Sequence, residues 1–540
     1  MRRNLLAFLF ALSLMVSTGL GQAVRITPAE RRIAEAITAD QLSHYLHFVA
    51  SDAMEGRDTP SRGLDVTAEF LKMNLSRWGF KPAGDSGSFL QKIELTNETT
   101  DPVNTLLQID SKPLRLGTDF YRMAGNGSVN ALMVYAGDGW VVKSKNLDPY
   151  KGIDVRGKIV VLSNERFFNS RTVTPLPTGL AQSDLKGTKG SDWSDPVTYA
   201  QMNGAAGILL IASDQEQRSW ARLSPYFSRG SLYPTKLREE PPKLPIMIVS
   251  TGVGEMIFDG VAGGRRAAAP LAINKSVSVT AMGKVEKKWT QNVVAIWEGR
   301  DPILKNEMVA VGAHYDHVGV NPNTQGEDKI FNGADDDGSG TVAVLAIAEA
   351  LANSRIRPKR SILLVWHAGE EKGLWGSEYF NKFPTVDIKK VVAQLNIDMI
   401  GRSKKTGDSN PINAGLTGES AIYVIGSEMM SSTLSSIVKG TNDGYLKLGY
   451  DYKYDDPADT NRFFFRSDHF NYALNGIPIT FWFDGVHEDY HGPGDSPDKI
   501  DYRKMEKVAR TIFLTMWELS DLPYRPKVDK QLPPELTRNR

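Results

Sequence analysis

From Trp289 onward the chain alternates between two textures, and this alternation limits the folds open to it. Apolar runs rich in β-branched and aromatic residues occur at 292–297, 308–313, 361–366, 391–397, 421–425 and 477–483. Helix-like stretches separate them at 339–352, 373–383 and 467–474, with a last one near 502–519. Apolar runs of this length, bounded by turn residues, read as strands buried on both faces. Strands that alternate with helices run parallel, because the chain must cross back over the sheet between them. The expected fold class is therefore α/β, a mixed, mostly parallel sheet flanked by helices on both faces. Sites in such sheets lie outside the carboxyl ends of the strands.

The polar clusters of this region sit at those ends. The run at 308–313 leads into His314-Tyr315-Asp316-His317, and 361–366 into His367-Ala368-Gly369-Glu370-Glu371. The run at 391–397 leads into Asp398, and 477–483 into a loop with His487 and His491. Asp335-Asp336-Asp337-Gly338 opens the helix near 339. Each cluster alone reads as a solvated turn or helix start. Together, two His and three carboxylates suit a pair of divalent ions such as zinc, one carboxylate bridging them ~3.5–4 Å apart. The chain has no Cys, which excludes thiolate zinc sites, cysteine nucleophiles and disulfides.

His487-Glu488-Asp489-Tyr490-His491 also spells HExxH, a pattern that binds zinc when one helix presents both His on one face. Here an apolar strand precedes it, and Gly492-Pro493-Gly494-Asp495-Ser496-Pro497 follows, which breaks any helix. The pair is expected in a loop, where positions four apart share no face.

Upstream, Met1-Arg2-Arg3, an apolar run at 5–16 and small residues at Gly19 and Gly21 make 1–21 a signal peptide, so the protein is expected to be exported, to a periplasm or beyond the cell. The apolar run falls short of the ~20 residues a spanning helix needs, and no later segment supplies them. Leu64, Ala68, Leu71, Leu75 and Trp78 recur at helical spacing. Residues 22–118 are therefore taken as the N-terminal part of the catalytic domain. Residues 119–285, strands alternating with polar loops, read as an inserted β-rich domain. The catalytic domain resumes over 286–522, and 523–540 is a tail. A formal net charge of +1 gives no electrostatic case for nucleic acid or an anionic membrane.

The segments "GAHYDH", "NGADDDGSG", "HAGEEKGLWGS", "NIDMIG" and "DYHGPGDSPDKID" together resemble the M28 family of co-catalytic zinc peptidases, over about 289–519. "GRDTPSRGLDVTAEFL" is similar to that family's N-terminal segment, and "RGKIVVL" with "AQMNGAAGILLI" resembles a protease-associated (PA) domain. Carried over position by position, the resemblance implies two zinc ions per chain. His314 and Asp398 would hold one, Glu371 and His491 the other, and Asp336 would bridge. Glu370 would be the general base, Asp316 would orient His314 through its other ring nitrogen, and Tyr490 would donate to the oxyanion. His487 and Glu488 have no role in this scheme, and His317 and His367 match no ligand position.

The implied function is an exopeptidase acting on peptides, an aminopeptidase in which the zinc pair activates water and anchors the free amine. A dipeptidase or carboxypeptidase of the same family is the alternative. A glutaminyl cyclase works with one zinc, which the full set of five ligands disfavours. A non-catalytic PA-containing binding protein would lack ligands, and none is missing here.

Overall fold

The computed structural model describes residues 24–163, 176–223, 230–238, 242–261, 264 and 270–532. The expected signal peptide lies outside the described residues. The chain divides into two compact units, with boundaries at Ile93/Glu94 and at Trp289/Thr290.

The first unit holds the expected α/β sheet. Its strands include β1 (Gly283–Trp297, of which the part from Thr290 lies in this unit), β2 (Met308–His314), β3 (Ser361–His367), β4 (Val391–Ile397), β5 (Ala421–Ile425), β6 (Gly449–Asp451) and β7 (Ile479–Phe483). They run in the order β1-β3-β2-β4-β7-β5-β6. The four central strands, β3, β2, β4 and β7, are mutually parallel. Antiparallel pairs flank them, β1 with β3 and β5 with β7. The carboxyl ends of β2, β3, β4 and β7 therefore open on one edge of the sheet. All the clusters expected at strand ends lie there.

Helices cover both faces. They include α1 (Ala39–Val49), α2 (Arg62–Arg77), α3 (Gly340–Asn353), α4 (Trp375–Lys382), α5 (His469–Leu474) and α6 (Tyr502–Asp521). Side chains alternate along a strand, so each strand feeds two cores. Val309, Val311 and Ala313 of β2 join Leu46 of α1, Leu71 of α2, Ala346 of α3 and Ile512 of α6. Met308 and Ala310 of the same strand join Phe380 of α4 and Phe470 of α5. Its sequence, GTVAVLAIAEALAN, makes α3 apolar nearly all round, and it is buried over most of its length. Ser61 caps α2 by accepting from Leu64 N at 3.2 Å, and Asp501 caps α6 from Lys504 N at 3.0 Å.

The second unit, Glu94–Trp289, is built on an eight-stranded sheet. Its central strands, Gly127–Tyr135, Ile159–Ser163, Gly207–Ile211 and Ile246–Val249, are parallel to one another. The unit starts well before the expected 119. Leu106–Ile109, assigned above to the catalytic domain, pairs antiparallel with Leu271–Ala281 and so belongs to this sheet.

Candidate metal centre

Each side chain of the centre comes from a strand end or the turn after it. His314 is the last residue of β2, Glu370 and Glu371 follow β3, and Asp398 follows β4. Asp336 lies in the turn that enters α3. Its backbone is extended (φ −100°, ψ 101°).

That local geometry sorts the three aspartates. Asp335 accepts from Gly401 N at 2.7 Å and its other oxygen lies 3.3 Å from His487 Nε2. Asp337 accepts from the backbone N–H groups of Gly340, His314 and Met399 at 2.9, 3.1 and 3.2 Å. Both therefore tie loops together. Of the three, Asp336 faces His314 and His491. Its Oδ1 lies 3.3 Å from His314 Nε2, and its Oδ2 lies 3.0 Å from His491 Nε2. His314 Nε2 is also 3.6 Å from Asp398 Oδ2, and His491 Nε2 is 3.1 Å from Glu371 Oε2.

Two donor groups result, His314 with Asp336 and Asp398, and His491 with Asp336, Glu371 and His317. Asp336 belongs to both. The five expected ligands are brought together, and His317, which matched no ligand position, joins them. His491 is the open side, with 37% of its side chain exposed.

Charge crowding governs the protonation of the group. Burial opposes charge on Asp336, but His314 and His491 outweigh it and hold the carboxyl well below its usual range. Burial likewise opposes charge on His314, yet Asp398 and Asp336 push it well above an ordinary imidazole, and Asp336 and Glu371 push His491 up to about 10. Burial raises the Glu370 carboxyl well above the usual range, Glu371 and Asp398 add to it, and His314 opposes. Imidazoles that cling to protons among carboxylates are answering a shortage of positive charge. Divalent ions would supply it and displace those protons. The donor set, imidazole and carboxylate without thiolate, fits zinc. Glu371 Oε1, a buried oxygen without a hydrogen-bond donor among the described residues, fits a bound cation as well.

The expected pairing around His314 needs correction. His314 Nδ1 is 3.1 Å from the backbone oxygen of Asp316, whereas the Asp316 carboxylate is 3.8 Å away. That carboxylate is turned aside by two donors, the Glu370 backbone N–H and Thr59 Oγ1, each at 3.1 Å. Asp316 thus positions the Glu370 loop with its side chain and His314 with its main chain. Burial pushes its carboxyl up to about 7. Tyr490 stacks on His491, ring centroids 3.9 Å apart, and accepts from Arg466 Nη2 at 3.3 Å.

The HExxH reading fails on geometry. Residues 488–491 form a turn, and His491 has a φ of 51°. His487 faces Asp335, and Glu488 accepts from Asn410 Nδ2. Glu506 and Glu518, two of the carboxylates downstream of the motif, lie on α6, where Glu506 accepts from Ala39 N at 2.7 Å.

Two supports escape a reading of motifs. Asp495, within the GPGDSP turn, accepts from Asp335 N and Asp336 N at 3.0 and 3.1 Å. Arg57, fully buried, donates to the backbone oxygens of Val49, Tyr315, Asn332 and Gly333 at 2.7–2.9 Å. It clamps the segments that carry His314 and Asp336. The only signal in the sequence is its place in GRDTPSRG.

Residues 292–516, which contain every one of these ligands, match the profile of Peptidase family M28. This stretch is similar to the M28 peptidases. The chain is also similar to the "Probable leucine aminopeptidase" of Arthroderma otae, 31% identical over 247 residues, covering 44% of this chain and 60% of that protein. "Leucine aminopeptidase 2" of the same fungus is 26% identical, covering 50% of this chain and 54% of its own length. The chain thus spans little more than half the length of these curated relatives. Among solved structures, the aminopeptidase from Aneurinibacillus sp. strain AM-1 superposes with a TM-score of 0.50 at 16% identity, covering 93% of this chain and 98% of that one. That likeness is one of fold.

Proposed function

We propose that the chain is an exported metallo-exopeptidase, an aminopeptidase that removes N-terminal residues from peptides and holds two zinc ions. The observation that carries this reading is the placement of Asp336, one carboxylate oxygen beside His314 and the other beside His491. The relatives' names, all leucine aminopeptidases, support the amine end of the peptide as the site of attack. Export rests on the N-terminal pattern, and the PA assignment of the second unit rests on its sequence segments.

His314 and Asp398 would hold one ion, Glu371 and His491 the other, with Asp336 shared. Bound there, the ions would polarise the scissile carbonyl and make water a nucleophile near neutral pH. Glu370 stands beside this group, and burial raises its carboxyl well above the usual range, which makes it a stronger base for taking a proton and passing it to the leaving amine. The Asp316 bond to Glu370 N keeps that loop in place. Tyr490 Oη, beside His491 at the open side, would donate to the developing oxyanion.

A dipeptidase reading has one observation in its favour. The exposed Arg466 guanidinium, bonded to Tyr490, is a cation able to meet a substrate carboxylate. One panel separates the two: leucyl chromogenic amides, leucyl dipeptides with free and amidated C-termini, and N-blocked peptides, each with chelator and with restored zinc. Hydrolysis of the amides and loss on N-blocking support an aminopeptidase. Activity confined to free dipeptide acids supports a dipeptidase, and activity that survives the chelator rejects both.

A further inference from the structure

His317 has no role in the reading above, although it is buried among the ligands. Its Nδ1 lies 2.8 Å from Glu371 Oε1 and 3.8 Å from Asp336 Oδ2. Yet neither ring nitrogen of His317 has a hydrogen-bond partner among the described residues, nor does Glu371 Oε1. At 2.8 Å, a nitrogen and an oxygen escape hydrogen bonding only when the N–H axis points away from the oxygen. The His491 ring stands edge-on to that of His317, centroids 5.5 Å apart, with its own Nε2 at 3.1 Å from Glu371 Oε2.

The ring is held in this position from two sides. His317 N donates to the Arg57 backbone oxygen at 3.1 Å. Gly333, at a φ of 57°, lies against the ring, and a Cβ there would come within 2.4 Å of His317 Cγ. A side chain at 333 would push the imidazole out of the cluster.

We infer that His317 Nδ1 is a fourth side-chain donor to the Glu371–His491 half of the metal centre, an inference that rests on the two-metal reading above. Two donors 2.8 Å apart on one zinc, with bonds of ~2.0–2.1 Å, subtend roughly 85° at the ion. The separations of His491 from Glu371 and from Asp336, 3.1 and 3.0 Å, give similar angles. Such separations fit neighbouring donors to one ion. The His314 half has three side-chain donors and this half four. The two ions are therefore held unequally, and a chelator removes the one at His314 and Asp398 first.

The test loads the full chain with cadmium in place of zinc, with nitrogen-labelled histidine, and reads one-bond metal–nitrogen couplings. The wild-type protein should show three coupled histidine nitrogens, one of them an Nδ1. Two coupled Nε2 atoms alone would overturn the assignment of His317 while leaving the metal pair intact. No coupling at all would overturn the metal reading and this inference together. His317→Asn, which keeps an N–H donor but ligates poorly, should weaken the tighter ion at least 10-fold in a chelator competition. Unchanged affinity in a folded His317→Asn protein would reduce His317 to a hydrogen-bond donor and reject it as a ligand.

Discussion

Asp336 Oδ2 lies 3.0 Å from His491 Nε2, joining the turn before α3 to the loop after β7. Neither loop can shift without disturbing the centre, and neither neighbour of Asp336 can take its place, since Asp335 and Asp337 are bound to the backbone N–H groups of other residues. Asp336→Asn should therefore lose both ions and at least ~10³-fold in kcat. Asp337→Ala should instead show its main effect in stability. It strips three buried backbone N–H groups of their acceptor, at about 1–3 kcal/mol for each group left unpaired. Metal analysis and thermal unfolding of the two variants side by side check the contrast.

Glu370→Gln should retain both ions and lose at least ~10²-fold in kcat, the lower range for general acid–base catalysis. Its side chain belongs to neither donor group, so metal content reports on its assignment independently of rate. Loss of an ion in this variant would move Glu370 among the ligands.

The two histidines of the false HExxH should separate cleanly. His491→Ala should lose one ion and nearly all activity. Glu488→Gln should leave metal content and turnover near wild type, because Glu488 bonds to Asn410. His487→Ala should keep both ions but unfold more easily, by about 2–3 kcal/mol, because it leaves a buried gap beside Asp335.

A pH effect should come from Glu518, far from the centre on α6. Burial, with Glu30 and Asp521 nearby, pushes its carboxyl up from 4.5 to about 7. Between those values the folded protein binds a proton that the unfolded chain does not. The stability it contributes is thus complete below pH 4.5 and lost as pH rises through 7. Glu518→Gln should raise stability at pH 8, by on the order of 1 kcal/mol after solvent screening, and change nothing at pH 4. Equal shifts at both pH values would contradict this. Denaturant unfolding at the two pH values provides the measurement.

The strands were the legible part of the fold, because burial on both faces leaves a continuous apolar run. The runs at 391–397 and 421–425 coincide with β4 and β5. The strand-end positions of His314, Glu371 and Asp398 followed from the same pattern. The antiparallel flanks of the sheet left no mark, since β1 and β5 read like the parallel strands beside them. The start of the second unit at Glu94 depends on Leu106–Ile109 pairing with a strand far along the chain, which local composition does not encode. Arg57 was illegible for the same reason, since three of its four carbonyl partners lie far along the chain. His317 was passed over because its relation to Glu371 appears only when the ends of β2 and β3 are side by side.

The central claim is that Asp336 bridges two ions. Anomalous diffraction from zinc-loaded crystals tests it most directly. Two zinc peaks ~3.5–4 Å apart, one on each side of the Asp336 carboxylate, are the predicted result. A single peak, or one ligated by His487 with Asp336 unbound, would contradict the account.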